Sequence, residues 1–203
     1  MSVLTVPFPT WLQIDGVNCP IHSDFRTVLR CYEILGDKEE LSKDEMVEML
    51  SMFYVRQQHY TEEHIDNMFW FFSCGREKEK KVFPRKIAGI NNKQSFDFVE
   101  DAELIYAGFM QQYGIDLQTE EMHWWKFMIL LENLGSDTKL QRVMEYRTID
   151  TKNKDLSKRE REFYSAMQRY FALERKMPDM PDRVKRIEEA LLKGEDISEL
   201  LKG

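Results

Sequence analysis

Helix-start signals constrain this chain more than any other feature of its sequence. Ser42 with Glu45 and Ser157 with Glu160 each set a hydroxyl residue three positions before a carboxylate, the capping box that satisfies the first unpaired amides of a helix. Apolar residues then recur at helical spacing behind these and other caps. Ser23 can cap a helix from Asp24 to about Leu35 through Phe25, Val28, Leu29 and Tyr32, ended by Gly36. Ser42 opens a second through Met46, Leu50 and Phe53, and Thr61 a third carrying Ile65, Met68, Phe69 and Phe72 to Gly75. After Ser95, the acids Glu100, Asp101 and Glu103 suit the positive end of a helix dipole, with Phe98, Ala102, Ile105 and Phe109 on one face before Tyr113-Gly114. A helix from Thr119 is apolar nearly all round through Met122, Trp124, Trp125 and Phe127 to Leu131. Asp137 to Tyr146 is a shorter helix, and Ser157 leads another through Phe163, Met167 and Tyr170 to about Arg175. Past the proline-punctuated Met177 to Asp182 comes a last amphipathic helix through Val184, Ile187 and Leu191, ending at Gly194.

Only one short stretch reads as strand. Asp15-Gly16 between Trp11-Leu-Gln-Ile14 and Val17-Asn-Cys-Pro-Ile21 is the signal for a tight hairpin. The expected fold is therefore mainly α: a compact multi-helix domain with a small N-terminal β-hairpin and a C-terminal amphipathic tail helix. Its expected organisation is a hairpin plus three helices over 1–75, a charged linker or loop over 76–94, a helical unit over 95–176, and a linker with tail helix over 177–203, alternatively one domain overall.

Charge and cysteine content narrow the function classes. With 29 Lys and Arg against 36 Asp and Glu the net charge is −7, which opposes bulk attraction to phosphate backbones. Two basic groups stand against this background, Lys78, Lys80, Lys81, Arg85 and Lys86 beside Phe83, and Arg183, Lys185 and Arg186; neither lies on a recognition helix, and both read as solvated linker or helix face. Three widely spaced cysteines, Cys19, Cys31 and Cys74, argue against a disulfide framework and for a reducing compartment. Met1 to Phe25 contains no Lys or Arg and is broken by Pro7, Pro9 and Pro20, unlike a signal peptide, and no apolar run approaches the ~20 residues of a membrane span. A cytoplasmic setting is expected.

Catalytic and cofactor signatures are missing. His22, His59, His64 and His123 form no i, i+4 metal pair, and no CxxC, GxxxxGK[ST], GxGxxG or GxSxG can be drawn. The acid pairs Glu62-Glu63, Glu100-Asp101 and Glu120-Glu121 each fall at an expected helix start, where the dipole accounts for them. No enzyme activity, cofactor or metal is expected. What stands out is adhesive mass: twelve methionines and 12% aromatic residues. Phe69-Trp70-Phe71-Phe72 and Trp124-Trp125 put adjacent aromatics on different helix faces, so either a core surrounds these helices or part of them meets a partner or a second copy. The candidate contact residues are Phe69, Trp70, Phe109, Tyr113, Trp124, Trp125 and Phe127, with Val184, Ile187 and Leu191 of the tail helix.

A longer pattern resembles a known family. Phe98-x-x-Asp101-Ala102-Glu103-x-Ile105-Tyr106-Ala107-x-Phe109-x-Gln111-x-Tyr113-Gly114-Ile115-Asp116-Leu117 is followed by His123-Trp124-Trp125-Lys126-Phe127, Asp137-Thr138 and Tyr146-Arg147-Thr148. With Ile21-x-x-Asp24-Phe25-Arg26 before it and Phe163-Tyr164-x-x-Met167-x-Arg169-Tyr170 after it, the chain from about Trp11 to Leu173 resembles the bacteriophage "gene product fifteen" family of Gram-positive siphophages and prophages. The resemblance implies a non-enzymatic tail-morphogenesis factor, encoded where tail assembly chaperones are found. It would act in the host cytoplasm and be absent from the mature virion. Its implied partners are the tape-measure protein, which it would bind and keep soluble, and the tail tube protein, whose subunits it would help recruit. The alternative is a structural connector or tail-completion protein retained in the virion. No catalytic residue carries over from the family.

Overall fold

Most of the described helices begin where a side chain takes up free amide groups. The computed structural model describes residues 3–36, 41–57, 59–76 and 94–174. Among them are two strands, β1 (Trp11–Ile14) and β2 (Val17–Pro20), and seven helices: α1 (Phe25–Leu35), α2 (Lys43–Phe53), α3 (Glu62–Phe72), α4 (Ala102–Tyr113), α5 (Trp124–Glu132), α6 (Lys139–Thr148) and α7 (Lys158–Tyr170). The two expected capping boxes form at α2 and α7, and α3 has a third in which His64 takes the place of the usual Glu opposite Thr61. The expected tail helix with Val184, Ile187 and Leu191, and both basic groups, lie outside the described residues.

The hairpin pairs antiparallel with Trp11 opposite Pro20 and Ile14 opposite Val17. Its turn residues Asp15 and Gly16 both have positive φ, 48° and 77°, the geometry that matches the right-handed twist of the flanking strands. Leu12, Ile14 and Cys19 face inward.

By contacts the chain divides into two units. Of the described residues, one unit comprises those up to 76 with 121–129, and the other 94–120 with 130–174. The start of α5 therefore belongs with the hairpin and α1–α3. Its inclusion explains a difference from the expected helix starting at Thr119. Residues 122–124 pair with 23–25: Phe25 N–H donates to Met122 O (2.9 Å), Trp124 N–H to Ser23 O (2.8 Å), and Asp24 and His123 form a β-bridge. This extended pairing delays the helix to Trp124, so Glu120 and Glu121 are not in its first turn. Asp24, rather than Ser23, caps α1, accepting from Arg26 N–H (2.9 Å) and also from Met122 N–H (3.1 Å).

In the first unit Val28, Cys31, Met49, Phe53, Met68, Phe71 and Trp124 are fully buried. Burial pushes the Cys31 thiol up to about 12, so it stays protonated as a small apolar side chain. The adjacent aromatics of α3 are covered on more than one side. Phe53 of α2 packs on Phe71 (5.2 Å) and Phe72 (5.5 Å), and Tyr32 of α1 on Phe72 (5.9 Å).

The second unit is organised around a buried ion pair. Arg147 of α6 donates to both carboxylate oxygens of Asp101 (2.6 and 2.9 Å), to Ser95 O (3.1 Å) and to Phe171 O (2.6 Å). One guanidinium thereby ties α6 to the segment before α4 and to the end of α7. Asp97 caps the turn that precedes α4, accepting from Val99 and Glu100 N–H, which moves that helix start to Ala102 and leaves Ala102 itself exposed.

Candidate functional site: an apolar cleft

Two neighbouring indoles close the C-terminal end of α3. Trp124 Nε1–H donates to Phe72 O (2.9 Å) and Trp125 Nε1–H to Phe71 O (2.9 Å), carbonyls from the last turn that have no partner inside the helix. Trp124 is wholly buried, but Trp125 reaches across to Trp70, with ring centroids 5.5 Å apart. The chain after α3 must pass close to both rings. Gly75 makes this possible: it has φ +64°, and a Cβ there would lie 2.8 Å from Trp125 Cη2 and 3.0 Å from Trp70 Cζ2.

Beside these rings is a cleft of about 390 Å³, whose lining among the described residues comprises Trp70, Cys74, Gly75, Arg76, Trp125 and Ile129 together with Val3, Val6, Pro7 and Phe8. All lie in the first unit. Arg76 is the charged residue among them. The segment ahead of β1 is fastened at His123. Phe8 stacks on the imidazole at 5.0 Å and meets Trp125 edge-on at 6.0 Å. His123 Nδ1 accepts from Trp125 N–H (3.0 Å), which leaves the ring proton on Nε2, donated to Pro9 O (3.0 Å). The neutral ring thus caps α5 and holds residue 9 at once. Burial holds its pKa below the usual histidine value, with the Pro9 carbonyl acting in the opposite direction.

Of the expected contact residues, the structure brings Trp70 and Trp125 together at this cleft, and Trp70 is the more exposed of the two. Phe69, Trp124 and Phe127 are buried within the first unit, Phe127 stacked 4.7 Å from Phe25. Phe109 is buried in the second, where half-buried Tyr113 donates its hydroxyl to Leu130 O (2.9 Å). These four buried rings pack as core side chains of their own units, where the sequence had offered them as candidate contact residues. Val184, Ile187 and Leu191 lie outside the described residues. The contribution of Val3, Val6, Pro7 and Phe8 was missed; the signal was an apolar segment of no clear period placed directly before the hairpin.

Among the described residues no group of three or more His, Cys, Asp or Glu side chains could hold a metal ion, and no helix is long and apolar enough to cross a membrane. Among the described residues the cleft lining offers apolar area and the Arg76 guanidinium. Neither the curated proteins nor the solved structures gave a match to the chain. The family model described as Bacteriophage Gp15 protein matches residues 5–173, and the chain belongs to that family.

Proposed function

For a member of this bacteriophage family, we propose that the protein is a tail assembly chaperone, working in the host cytoplasm without catalysis, which binds the apolar helical tape-measure protein and helps recruit tail tube subunits around it. The observation that carries the reading is the cleft at Trp70 and Trp125. It offers aromatic and aliphatic walls on an otherwise strongly charged protein, where an apolar helix face could be sheltered.

The energetics suit a temporary binder. Two large guest side chains, burying ~150–250 Å² each, would contribute about 7–12 kcal/mol at ~25 cal/mol per Å². Association costs ~4–15 kcal/mol. One cleft therefore holds its guest loosely. Several copies along one long chain would cover it by summed weak contacts and still yield to tube subunits.

Co-expression with the tape-measure protein tests the reading. The tape-measure protein is expected to become soluble and to co-purify, and Trp70→Ser is expected to reduce both. No rescue by the unaltered protein overturns the proposal. Purified virions are expected to lack the protein; finding it there in stoichiometric amount would favour a structural connector.

A further inference from the structure

Helix α7 is 13 residues long, yet none of its side chains is fully buried. Tyr164 and Gln168, with Phe171 just beyond the helix, turn towards α6: both rings lie against Tyr146, at 6.3 and 6.0 Å, and Gln168 Nε2–H donates to Ile149 O at 2.7 Å. The neighbouring stripe stays in water. Phe163, Ala166 and Tyr170 recur at i, i+3 and i+7, and all three are exposed, Phe163 at 48% and Tyr170 at 77%. Single apolar residues on a surface are ordinary, but two aromatics aligned along one helix form a seam. The charges beside the seam follow the same spacing. Glu162 and Arg169, both exposed, also stand two helical turns apart. The midpoint of Phe163 and Tyr170 lies between Ala166 and Met167, and that of Glu162 and Arg169 between Ser165 and Ala166. Both pairs are thus centred at Ala166, whose small side chain lets a second helix come close. Both charges keep bonding capacity. Arg169 donates Nε–H to Ser165 O at 3.3 Å, which leaves both Nη groups for another acceptor, and Glu162 has only a 3.9 Å surface pair with exposed Lys158.

We infer that α7 is a self-association surface, on which a second copy of this chain pairs antiparallel about a two-fold axis at Ala166. In that arrangement Phe163 of each copy meets Tyr170 of the other, and Glu162 meets Arg169 of the other. The order of residues identifies the occupant. Whatever covers the stripe has to present a base, a ring, a ring and an acid in reverse order, and α7 itself does so. A parallel pairing would bring each charge to the level of its own twin and leave no opposite pair. The four rings, at ~150–250 Å² each, amount to less than the ~1,200 Å² at which stable interfaces begin. The dimer is therefore weak, half-formed at roughly 10–100 µM. It uses none of the cleft residues and goes beyond the chaperone reading.

The test is sedimentation velocity of the full chain over a concentration series spanning that range. The unaltered protein is expected to pass from monomer to dimer as concentration rises. Glu162→Arg and Arg169→Glu, at exposed positions where folding is not at stake, are each expected to weaken self-association about tenfold or more, because each sets like charges across the pair. Mixing the two variants is expected to restore association, since every contact between copies is then acid to base again. Phe163→Ser with Tyr170→Ser is expected to abolish it, with folding verified by circular dichroism. A protein monomeric throughout the series, a dimer indifferent to both charge reversals, or a mixture that stays monomeric would each overturn the pairing. A dimer that survives the loss of both rings would overturn it as well. Co-expression with the tape-measure protein is read separately: failure to solubilise it leaves the pairing standing, and failure to pair leaves the chaperone reading standing.

Discussion

Replacing Arg147 by Met should be among the most damaging single changes available outside the apolar core. Its guanidinium and the Asp101 carboxylate are both almost completely buried, with side-chain exposures of 8% and 3%. The substitution keeps much of the side-chain volume but strands a buried carboxylate and removes the donors to Ser95 O and Phe171 O. Breaking one side of such a pair costs about 3–5 kcal/mol, because the surviving charge keeps its desolvation penalty without its partner. For a chain of this length each kcal/mol lowers the melting temperature by ~2–4 °C. A fall on the order of 10 °C by circular dichroism is therefore expected for Arg147→Met. Adding Asp101→Asn removes the stranded charge and still leaves an amide oxygen for Asp97 N–H, which Asp101 Oδ2 accepts at 3.0 Å. The double variant should recover about half of the loss or more, measured by urea denaturation as a double-mutant cycle. A cost below ~1 kcal/mol for Arg147→Met, or a double variant no more stable than it, would refute the account of Arg147 as the tie of the second unit.

Other outcomes follow from the first unit. Burial holds the imidazoles of His64 and His123 below their usual pKa, and each Nδ1 accepts a backbone amide at a helix start, Thr61 N–H at 3.1 Å and Trp125 N–H at 3.0 Å. Their contribution is present above ~6.5 and is lost as pH falls through the lowered folded values. The urea midpoint should drop on acidification, and drop less in His123→Asn, which still caps but does not titrate; an equal drop in both proteins would exclude His123 as a cause. Gly75→Ala should cost about 2 kcal/mol, from the left-handed backbone and the approach of Trp125 and Trp70, and an unchanged denaturation midpoint would contradict that geometry. A thiol reagent should label half-exposed Cys74 well before fully buried Cys31 in the native protein, so equal labelling rates would refute the packing around α1.

Local chemistry made the helices legible. Ser42 with Glu45, Ser157 with Glu160, and Asp15-Gly16 act within a few residues, so their meaning does not depend on the rest of the chain. The start of α5 does depend on it. The turn after Asp116 and the bridge between Asp24 and His123 outweigh the helical pattern from Thr119, and nothing near residue 119 announces a partner almost a hundred positions away. The same limit applies to the site. Adjacent aromatics in α3 and α5 were visible in the sequence, yet which rings are spent on the core is decided by Phe53, Tyr32 and Phe25 in other helices. Trp70 stays part-exposed while Trp125 is buried, and Gly75 lets the backbone pass close to both rings. The segment ahead of β1 carries no periodic signal at all, since turns impose none.

The discontinuous make-up of the first unit also sets a timetable for synthesis. Strands β1 and β2 and helices α1 to α3 are complete by residue 72, but the Phe72 carbonyl waits for the Trp124 indole 52 positions further on, and the Phe71 carbonyl, already reached by Cys74 N–H, gains the Trp125 indole 54 positions on. Every nascent chain must carry this half-covered aromatic surface while the intervening residues leave the ribosome, at ~5–20 residues per second. A chain ended at residue 120 should accordingly bind an apolar dye and resist proteolysis poorly, whereas one that extends through Ile129 gains the missing indoles; a fully protected product ending at 120 would show that the first unit closes without them. For a protein proposed to shelter another chain's apolar helix, the first such surface to need cover during translation is its own.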